Sequence, residues 1–270
     1  MRASYIWATQ LGAWRLAALK MFEDRESPTL PLLAGPMIAV DQLKYSDIFR
    51  AAKGYQESFA QDPVFRYLRN NRKQTRADQM LEYVVICTSL FLSIQTKIAL
   101  TVNCGTANIT AVPPKADSGR TKQDPATKLA EWLMKKLVKK RKEMVRDPEA
   151  KKRQQEIVEK TRNALERALG DRIDKMWLVE SLWTDPASQG RGYGGALLDS
   201  VTILADWAGQ STWLQSSNVA NTAFYERHGF ETLAIVLLGD ENPTWHEKPV
   251  VMSIMVREPR WPLRVDFDVV

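Results

Sequence analysis

The sequence has few residues of the kinds that build metal centres or disulfide frameworks. Its 270 residues include two cysteines, Cys87 and Cys104, and two histidines, His228 and His246. Neither pair has the spacing of a zinc site, so we predict no metal. Two cysteines do not make a disulfide framework either, and a reducing compartment, the cytoplasm, is the simplest expectation.

Long apolar runs are also missing. The most apolar stretch, residues 84–102, is interrupted by Ser89, Ser93, Gln95 and Lys97, whereas a membrane-spanning helix needs about 20 mostly apolar residues. We therefore predict no membrane segment and interpret this stretch as a buried helix followed by a strand. The overall composition, with 44% hydrophobic and 26% charged residues, is that of an ordinary soluble domain.

Acidic residues are absent from the first 22 positions, which carry Arg2, Arg15 and Lys20. This charge pattern resembles a mitochondrial presequence, but serine is scarce there. We interpret residues 1–36 as an N-terminal extension, either a helix or the product of a misplaced start codon. Residues 259–270 form a C-terminal tail in the same interpretation.

Apolar periodicity divides the middle of the chain into alternating strands and helices. A short strand at 37–42 precedes a helix with Ser46 as its predicted N-cap, and Asp62 with Pro63 starts a second, short helix. A longer helix follows from about Thr75, and two strands meet at Gly105. The remaining predicted strands are 175–186, 211–217, 230–238 and 249–258.

Residues from about 115 to 174 differ from their surroundings in composition, and their pattern predicts an insert of two helices. Leu129, Trp132 and Leu133 mark an apolar face on the first helix. Asp147 with Pro148 opens the second helix and Gly170 closes it.

Basic residues cluster in this insert at 139–142 and 151–153. Such clusters are compatible with a nuclear import signal or a nucleic-acid patch. Acidic residues are interleaved with them, and no aromatic residues alternate with the charges as they do in many single-strand binding sites. A solvated helix face is the simpler interpretation, so nucleic acid is not an expected partner.

The stretch "QGRGYGGALL", which starts at Gln189, lies between a predicted strand and a predicted helix. The first N–H groups of a helix have no internal partner and lie in the positive potential of the helix dipole. Glycines let those groups approach an anion closely. The stretch lacks the lysine of a P-loop, and a dinucleotide-binding fold would place such a turn near the first strand, but the stretch suits a diphosphate.

The same residues resemble the acyl-CoA signature of the GNAT N-acyltransferase superfamily, Gln/Arg-x-x-Gly-x-Gly/Ala, which Gln189, Gly192 and Gly194 satisfy. A second motif that resembles this superfamily, "NVANTAFYERHGF", spans residues 218–230. The resemblance is clear over 175–258 and weaker over 37–114. We therefore interpret 37–258 as one GNAT-like domain, similar to the small-molecule branch that includes puromycin N-acetyltransferase and its fungal relatives.

The resemblance implies a mixed α/β fold, in which helices flank a splayed, mostly antiparallel sheet. Strands 176–184 and 212–217 would part and hold acetyl-CoA between them, with N–H groups of residues 191–195 on its diphosphate. The backbone of residues 182–184 would pair with the pantetheine arm and polarise the thioester. The residues expected to bind the cofactor are Leu182, Trp183, Thr184, Gln189, Gly190, Arg191, Gly192, Tyr193, Gly194, Gly195 and Asn218.

Two residues are candidates for catalysis. An alkylamine has a pKa of about 10, so a base must remove a proton before attack. Glu180 is the candidate base if partial burial raises its pKa; the alternative is a rim carboxylate paired with a lysine or arginine. Tyr225 matches the tyrosine of the family motif and would hydrogen-bond the leaving thiolate.

The sequence thus predicts transfer of an acetyl group from acetyl-CoA to a primary amine of a small molecule, by direct attack in a ternary complex. A protein or histone N-acetyltransferase is one alternative, and a non-catalytic CoA-binding protein is another. We expect a cytoplasmic protein, with a nuclear location open from the basic clusters and a mitochondrial one from the first residues. The oligomeric state and the acceptor are not determined by the sequence.

Overall fold

The computed structural model describes residues 38–70, 72–114, 125–144 and 147–260, and for 141–144 it describes the backbone alone. The predicted N-terminal extension, 1–36, lies outside the described residues, as does the tail beyond residue 260.

Seven strands form one open sheet in the order β1-β2-β3-β4-β5-β7-β6. Every neighbouring pair is antiparallel except β4 and β5, which run parallel. This arrangement confirms the predicted mixed α/β fold with a mostly antiparallel sheet. The strands are β1 (Asp41–Gln42), β2 (Ile98–Val102), β3 (Ala107–Val112), β4 (Trp177–Thr184), β5 (Thr212–Ser216), β6 (Glu231–Leu238) and β7 (Val250–Arg257).

Helices cover both faces of the sheet. They are α1 (Ile48–Ser58), α2 (Pro63–Arg69), α3 (Arg76–Thr96), α4 (Pro125–Met144), α5 (Pro148–Ala168), α6 (Tyr193–Trp207) and α7 (Thr222–Arg227). One face packs under α6 through Leu197, Leu198 and Val201. Because side chains alternate along a strand, Trp177 and Val179 point to this face and Leu178 points to the other, which α1, α3 and α5 cover.

Local sequence signals account for most helix starts. The Asp62 side chain accepts from the N–H groups of Val64 and Phe65 at the start of α2, and Thr75 forms a capping box with Asp78 at the start of α3. The predicted N-cap at Ser46 is wrong. The chain first makes a 3₁₀ turn at Tyr45–Asp47, so α1 begins at Ile48 with Asp47 in the N-cap position, and the Ser46 hydroxyl donates to Asp47 instead.

The predicted insert folds as two helices, α4 and α5. The apolar face marked on α4 is largely exposed, and a different face is buried. Leu129 and Trp132 are 64% and 56% exposed, while Thr127 and Ala130 are the buried residues of this helix. The α4 helix packs against α3, so this tertiary contact selects a different face from the one with most apolar side chains.

Helix α3 is, by length and composition, the one helix in the described ranges that passes the test for a membrane span. Core helices of soluble proteins pass the same test. Ile86 and Leu90 of α3 pack with Ile48 and Ala52 of α1 in one buried cluster.

Candidate active site

The sheet opens between β4 and β5. Their ladder covers only Trp177 to Val179 on β4 and Thr212 to Leu214 on β5, although β4 continues to Thr184. The register of the β3–β4 ladder shifts between Thr110, which pairs with Ser181, and Ala111, which pairs with Val179. Glu180 therefore has no opposite residue on β3. Such a bulge bends a strand and re-aims its side chains. The gap therefore begins where the sequence predicted the two strands to part.

The ladder on the β3 side fixes which backbone groups of β4 face the gap. The Asp185 N–H donates to the Thr106 carbonyl at 2.9 Å. Because hydrogen-bonded and non-bonded pairs alternate in an antiparallel ladder, Trp183 faces β3 and Leu182 faces the gap. Of the three residues predicted to pair with pantetheine, Leu182 directs its backbone N–H and C=O groups to the gap. The backbone groups of Trp183 are directed to β3, within the sheet.

The third predicted residue, Thr184, already has partners within the protein. Its carbonyl accepts from the Ser58 hydroxyl at 2.9 Å and from Gln189 Nε2 at 3.2 Å. The side chain of Gln189, a predicted cofactor-binding residue, thus ties the glycine-rich turn back to the end of β4.

The segment between α1 and α2 contacts both strands that border the gap. Ser58 contacts the end of β4 as described, and Asp62 Oδ2 accepts from the hydroxyl of Ser217, just after β5, at 2.5 Å. Asp62 is buried, and desolvation raises the pKa of its carboxyl while hydrogen bonds from Ser217 and two backbone amides oppose that rise. Residues 58–62 therefore bridge the two strands. Sequence reasoning found Asp62 as a cap but not this bridge.

The glycine turn, defined as residues 189–195, supplies a row of open donors. Among the described residues, the backbone N–H groups of 191–195 donate to no protein acceptor. The first internal bond of α6 runs from the Ala196 N–H to the Gly192 carbonyl. Five consecutive free donors at the start of a 15-residue helix fit the predicted diphosphate site.

Glycine is required in this turn for two different reasons. Gly190 and Gly192 have φ angles of +76° and +80°, in the region where side chains are strained. A Cβ on Gly195 would lie 3.2 Å from the His228 ring, whereas one on Gly194 would meet Phe224 at 3.6 Å. The turn thus accepts alanine at 194 alone, in line with the Gly/Ala alternative of the family signature.

His228 packs against the glycine turn. Its Nδ1 lies 2.8 Å from Asp199 Oδ1, and its ring centroid lies 4.8 Å from that of Phe224. Asp199 lies in α6, 29 positions away in the sequence, and no motif links the two.

Tyr225 lies in α7 and packs, like Leu182 and Tyr193, against the core cluster under α6. Its ring contacts Phe224 and Phe230 at centroid distances of 5.1 and 6.0 Å. Within the described ranges its hydroxyl bonds to no protein group. Burial raises the pKa of Tyr225 to about 12. Proton donation to a thiolate, whose thiol has a pKa of about 8.5, is therefore more unfavourable than for an ordinary tyrosine, and a hydrogen bond is the contribution that this hydroxyl suits.

The candidate base Glu180 lies at the bulge of β4. Its side chain is 41% exposed and pairs with Lys97, whose Nζ lies 2.7 and 2.5 Å from the two carboxylate oxygens. This is the arrangement of the alternative interpretation, a rim carboxylate paired with a lysine. Lys97 comes immediately before β2, so only the β2–β3–β4 packing brings it to Glu180.

Asn218 caps the 3₁₀ turn that leads into α7. Its Oδ1 accepts from the Ala220 N–H at 3.0 Å, and its carbonyl accepts from the Ser216 hydroxyl at the same distance. These two bonds leave the side-chain amide nitrogen of Asn218 available for its predicted cofactor contact.

A cavity of about 220 Å³ lies beside the bulge of β4, on the face covered by α1 and α3. Glu180, Ser181 and Trp183 of β4 line one side of it, and Glu82 of α3 lies on another. The Ser181 and Thr110 hydroxyl oxygens in its wall are 2.6 Å apart. The glycine turn begins α6 on the opposite face, so β4 separates the anion site from this cavity.

Of the four tryptophans near the predicted strands, Trp177, Trp213 and Trp245 are buried core residues. Trp183 is also buried but borders the cavity. In the part of the chain that the structure describes, no group of three or more His, Cys, Asp or Glu residues could hold a metal ion.

Comparison with known proteins supports the family resemblance. A family model described as an acetyltransferase (GNAT) domain matches residues 155–232. An uncharacterized N-acetyltransferase of Schizosaccharomyces pombe is 30% identical over 91 residues, which are 34% of this chain and 35% of that protein. The matched region thus spans about a third of the length of this curated relative.

Solved structures share the fold. Arylalkylamine N-acetyltransferase 2 from Aedes aegypti has a TM-score of 0.54 at 16% identity, over 83% of this chain and 99% of that chain. A histone acetyltransferase HPA2-related protein from Corynebacterium glutamicum has 0.51 at 14%, over 84% and 99%. Polyamine N-acetyltransferase from Drosophila melanogaster has 0.50 at 14%, over 82% and 100%.

Proposed function

We propose that this chain is an N-acetyltransferase that moves an acetyl group from acetyl-CoA to a primary amine of a small molecule, since a model of the acetyltransferase (GNAT) domain matches residues 155–232. The observation that carries the proposal is the row of N–H groups at 191–195 that have no acceptor among the described residues, next to a gap between two neighbouring strands. An anion site and a slot beside it are what a long cofactor with a diphosphate and a thioester arm requires.

Acetyl-CoA supplies the acetyl group as a thioester when it is bound. The N–H groups of the glycine turn would hold its diphosphate, where the dipole of α6 adds positive potential. The backbone of Leu182 would align the arm along β4. The hydroxyl of Tyr225, which has no protein partner among the described residues, would donate a hydrogen bond to the thiolate that leaves.

Glu180 remains our candidate for the base, and its contact with Lys97 has a consequence for this role. Its carboxylate holds the Lys97 ammonium, so the contact must give way or lengthen before Glu180 accepts a proton. If Glu180→Gln leaves both the rate and the pH–rate profile unchanged, Glu180 is not the base. In that case, Lys97→Met should also leave the rate and the pH–rate profile unchanged.

The size of the cavity supports a small acceptor rather than a peptide. Its 220 Å³ is below the roughly 300–1,000 Å³ of pockets that take drug-sized ligands. Two of the structural neighbours are named for arylalkylamines and polyamines, which agrees with this class of acceptor.

The direct test combines calorimetry with a thiol-release assay. We expect CoA to bind the folded protein and acetyl-CoA to release its thiol when small primary amines are added. Absence of CoA binding would overturn the assignment. CoA binding without thiol release across a broad panel of amines and peptides would favour the non-catalytic alternative.

A further inference from the structure

Strand β6 has one buried face and one open apolar face. In the part of the chain that the structure describes, β6 is the last strand of the sheet on its side. Val236 and Leu238 are buried under α5, whereas Ile235 and Leu237, which point the other way, are 60% and 42% exposed. Apolar side chains on an edge strand favour association with another segment. We call the surface of Ile235 and Leu237 the open face of β6.

The open face of β6 belongs to the side of the sheet that carries α6. Ile235 pairs with Ser253 on β7, and Met255, two residues further along β7, points to the same side. Met255 packs in the core cluster under α6. That helix packs over β3 and β4, and β6 is three strands away from β4. The open face therefore lies beside the area that α6 covers.

The last described residue, Arg260, lies on this same side. Its backbone N–H donates to Asp206 of α6 at 2.9 Å, and its guanidinium packs against Gly229, two positions before β6. Residues 261–270 follow in the sequence. Ten residues reach up to about 33 Å, and the eight residues of β6 extend over about 26 Å. The chain can thus reach the whole open face without crossing the sheet.

The sequence of residues 261–270 has the pattern that such a face requires. Every second residue from position 261 to position 269 is a large apolar one, and most of the residues between them are charged. The apolar residues are Trp261, Leu263, Val265, Phe267 and Val269, and those between them are Pro262, Arg264, Asp266 and Asp268. A period of two is typical of a segment with one side against a protein surface and the other in water.

A second apolar surface lies on the opposite side of the sheet. Ile157, Val158 and Leu165 of α5 line a cavity of about 660 Å³ there, and Val158 is 63% exposed. The contact of Arg260 with Asp206 directs the chain to the side of α6 instead. The position of Arg260 therefore favours the open face of β6 over the α5 cavity.

We propose that residues 261–269 pack on the open face of β6 and protect this edge of the sheet from association with other chains. The point at which the chain reaches this side, the length that follows and the alternation of apolar residues all support the same occupant. The inference is independent of acetyl transfer, so it can fail while the proposed function stands.

The first test is hydrogen exchange of the full chain, measured by mass spectrometry. Leu263→Asp combined with Phe267→Asp places carboxylates where apolar contacts are needed. We expect this double variant to exchange at least about 5-fold faster than the unmodified chain within residues 231–238, because their cover is lost. Exchange within α5 should not change. Arg264→Ala combined with Asp268→Ala, at the alternate positions, is the matched control and should leave the exchange of 231–238 unchanged.

The second test changes the surface instead of the segment that covers it. Ile235→Glu should speed exchange within residues 261–270 at least about 5-fold. Val158→Glu, on the opposite side of the sheet, is the matched control and should leave that exchange unchanged. Faster exchange of 261–270 in Val158→Glu alone would place the segment in the α5 cavity and overturn the inference.

Two further results would overturn it. One is exchange of residues 261–270 in the unmodified chain at the rate of an unfolded peptide. The other is a dimer in sedimentation whose formation slows exchange of 231–238 equally in the unmodified chain and in the Leu263→Asp, Phe267→Asp variant, since a second copy would then cover the face. The variants at 263 and 267 lie outside the sheet, so they decide the matter even if Ile235→Glu does not fold.

Discussion

Two regions of this chain differ in whether their polar groups have hydrogen-bond partners within the protein. Arg153 on α5 is completely buried, and its guanidinium donates to the Tyr67 carbonyl and to Thr244. It also lies between the rings of Tyr67 and Trp245, at 4.8 and 5.2 Å. The glycine turn, by contrast, leaves the N–H groups of 191–195 without an acceptor in the described protein.

The difference separates a structural role from a binding role. A buried charge is tolerated when the protein itself supplies its partners, and Arg153 thereby fixes the helical insert to the end of the sheet. Donors without partners are costly if buried and useful at a surface where a ligand supplies the acceptor. Basic residues and glycines are both conspicuous in this sequence, but only the glycines of the turn leave backbone donors open to the proposed ligand.

The largest expected effect comes from removing the anchor of the insert. Arg153→Ala should lower the free energy of unfolding by about 3–5 kcal/mol, because it breaks a buried charged network. CoA affinity of the remaining folded protein should be unchanged. Lys151→Ala, on the exposed side of the same helix, is the control in thermal or denaturant unfolding. A loss under about 1 kcal/mol in Arg153→Ala would contradict the structural role.

The next effect concerns the glycine turn. Gly192→Val places a β-branched residue at φ +80° and should weaken CoA binding about 100-fold or more, since it distorts the row of donors. Gly170→Val is matched in having a positive φ, +49°, but lies at the end of α5. It should lose stability and keep its CoA affinity. Equal loss of affinity in both variants would show that strain alone, and not the turn, causes the effect.

Removal of a single hydroxyl should have a smaller effect. Tyr225→Phe should lower kcat by about 10- to 100-fold, the range expected for a hydrogen-bond donor to a developing anion, and change CoA affinity little. Because the pKa of Tyr225 is about 12, its contribution should not titrate below a pH of about 10. Tyr83→Phe, which removes a hydroxyl bonded to the Phe49 carbonyl, should leave kcat unchanged. Unchanged kcat in Tyr225→Phe would remove this tyrosine from the mechanism.

The smallest effect belongs to the bridge across the gap. The folded pKa of Asp62 is raised above 3.8, so the folded state holds its proton at pH values where the unfolded state has lost it. The contribution of this group to stability is then present below a pH of about 3.8 and is lost as pH rises through the folded pKa. Asp62→Asn keeps a capping oxygen. It should make the melting temperature depend less on pH between pH 4 and 7. Asp41→Asn, which changes an exposed carboxyl on β1, should keep the slope, and an unchanged slope in Asp62→Asn would contradict the assignment.

The parts of the fold that local sequence decides were predicted well. The strand, turn and helix around Gly192 were recognised because glycines at positive φ and an apolar helical period are local signals. The same holds for the start of α2 at Asp62 and the end of α5 at Gly170. The start of α1 and the buried face of α4 were predicted wrongly, since a 3₁₀ turn and the packing on α3 override the local pattern in those two places.

By itself, the sequence determined which elements form, where a glycine turn precedes a helix and which family motifs surround that turn, because each depends on residues within a few positions of one another. Tertiary structure alone decided that Lys97 pairs with Glu180, that Ser217 meets Asp62 across the gap and that Glu82 shares a cavity with the bulge of β4. The first two pairs are 83 and 155 residues apart, and the third brings together separate elements. Long-range contacts of this kind depend on how sheet and helices pack, and no local periodicity records them.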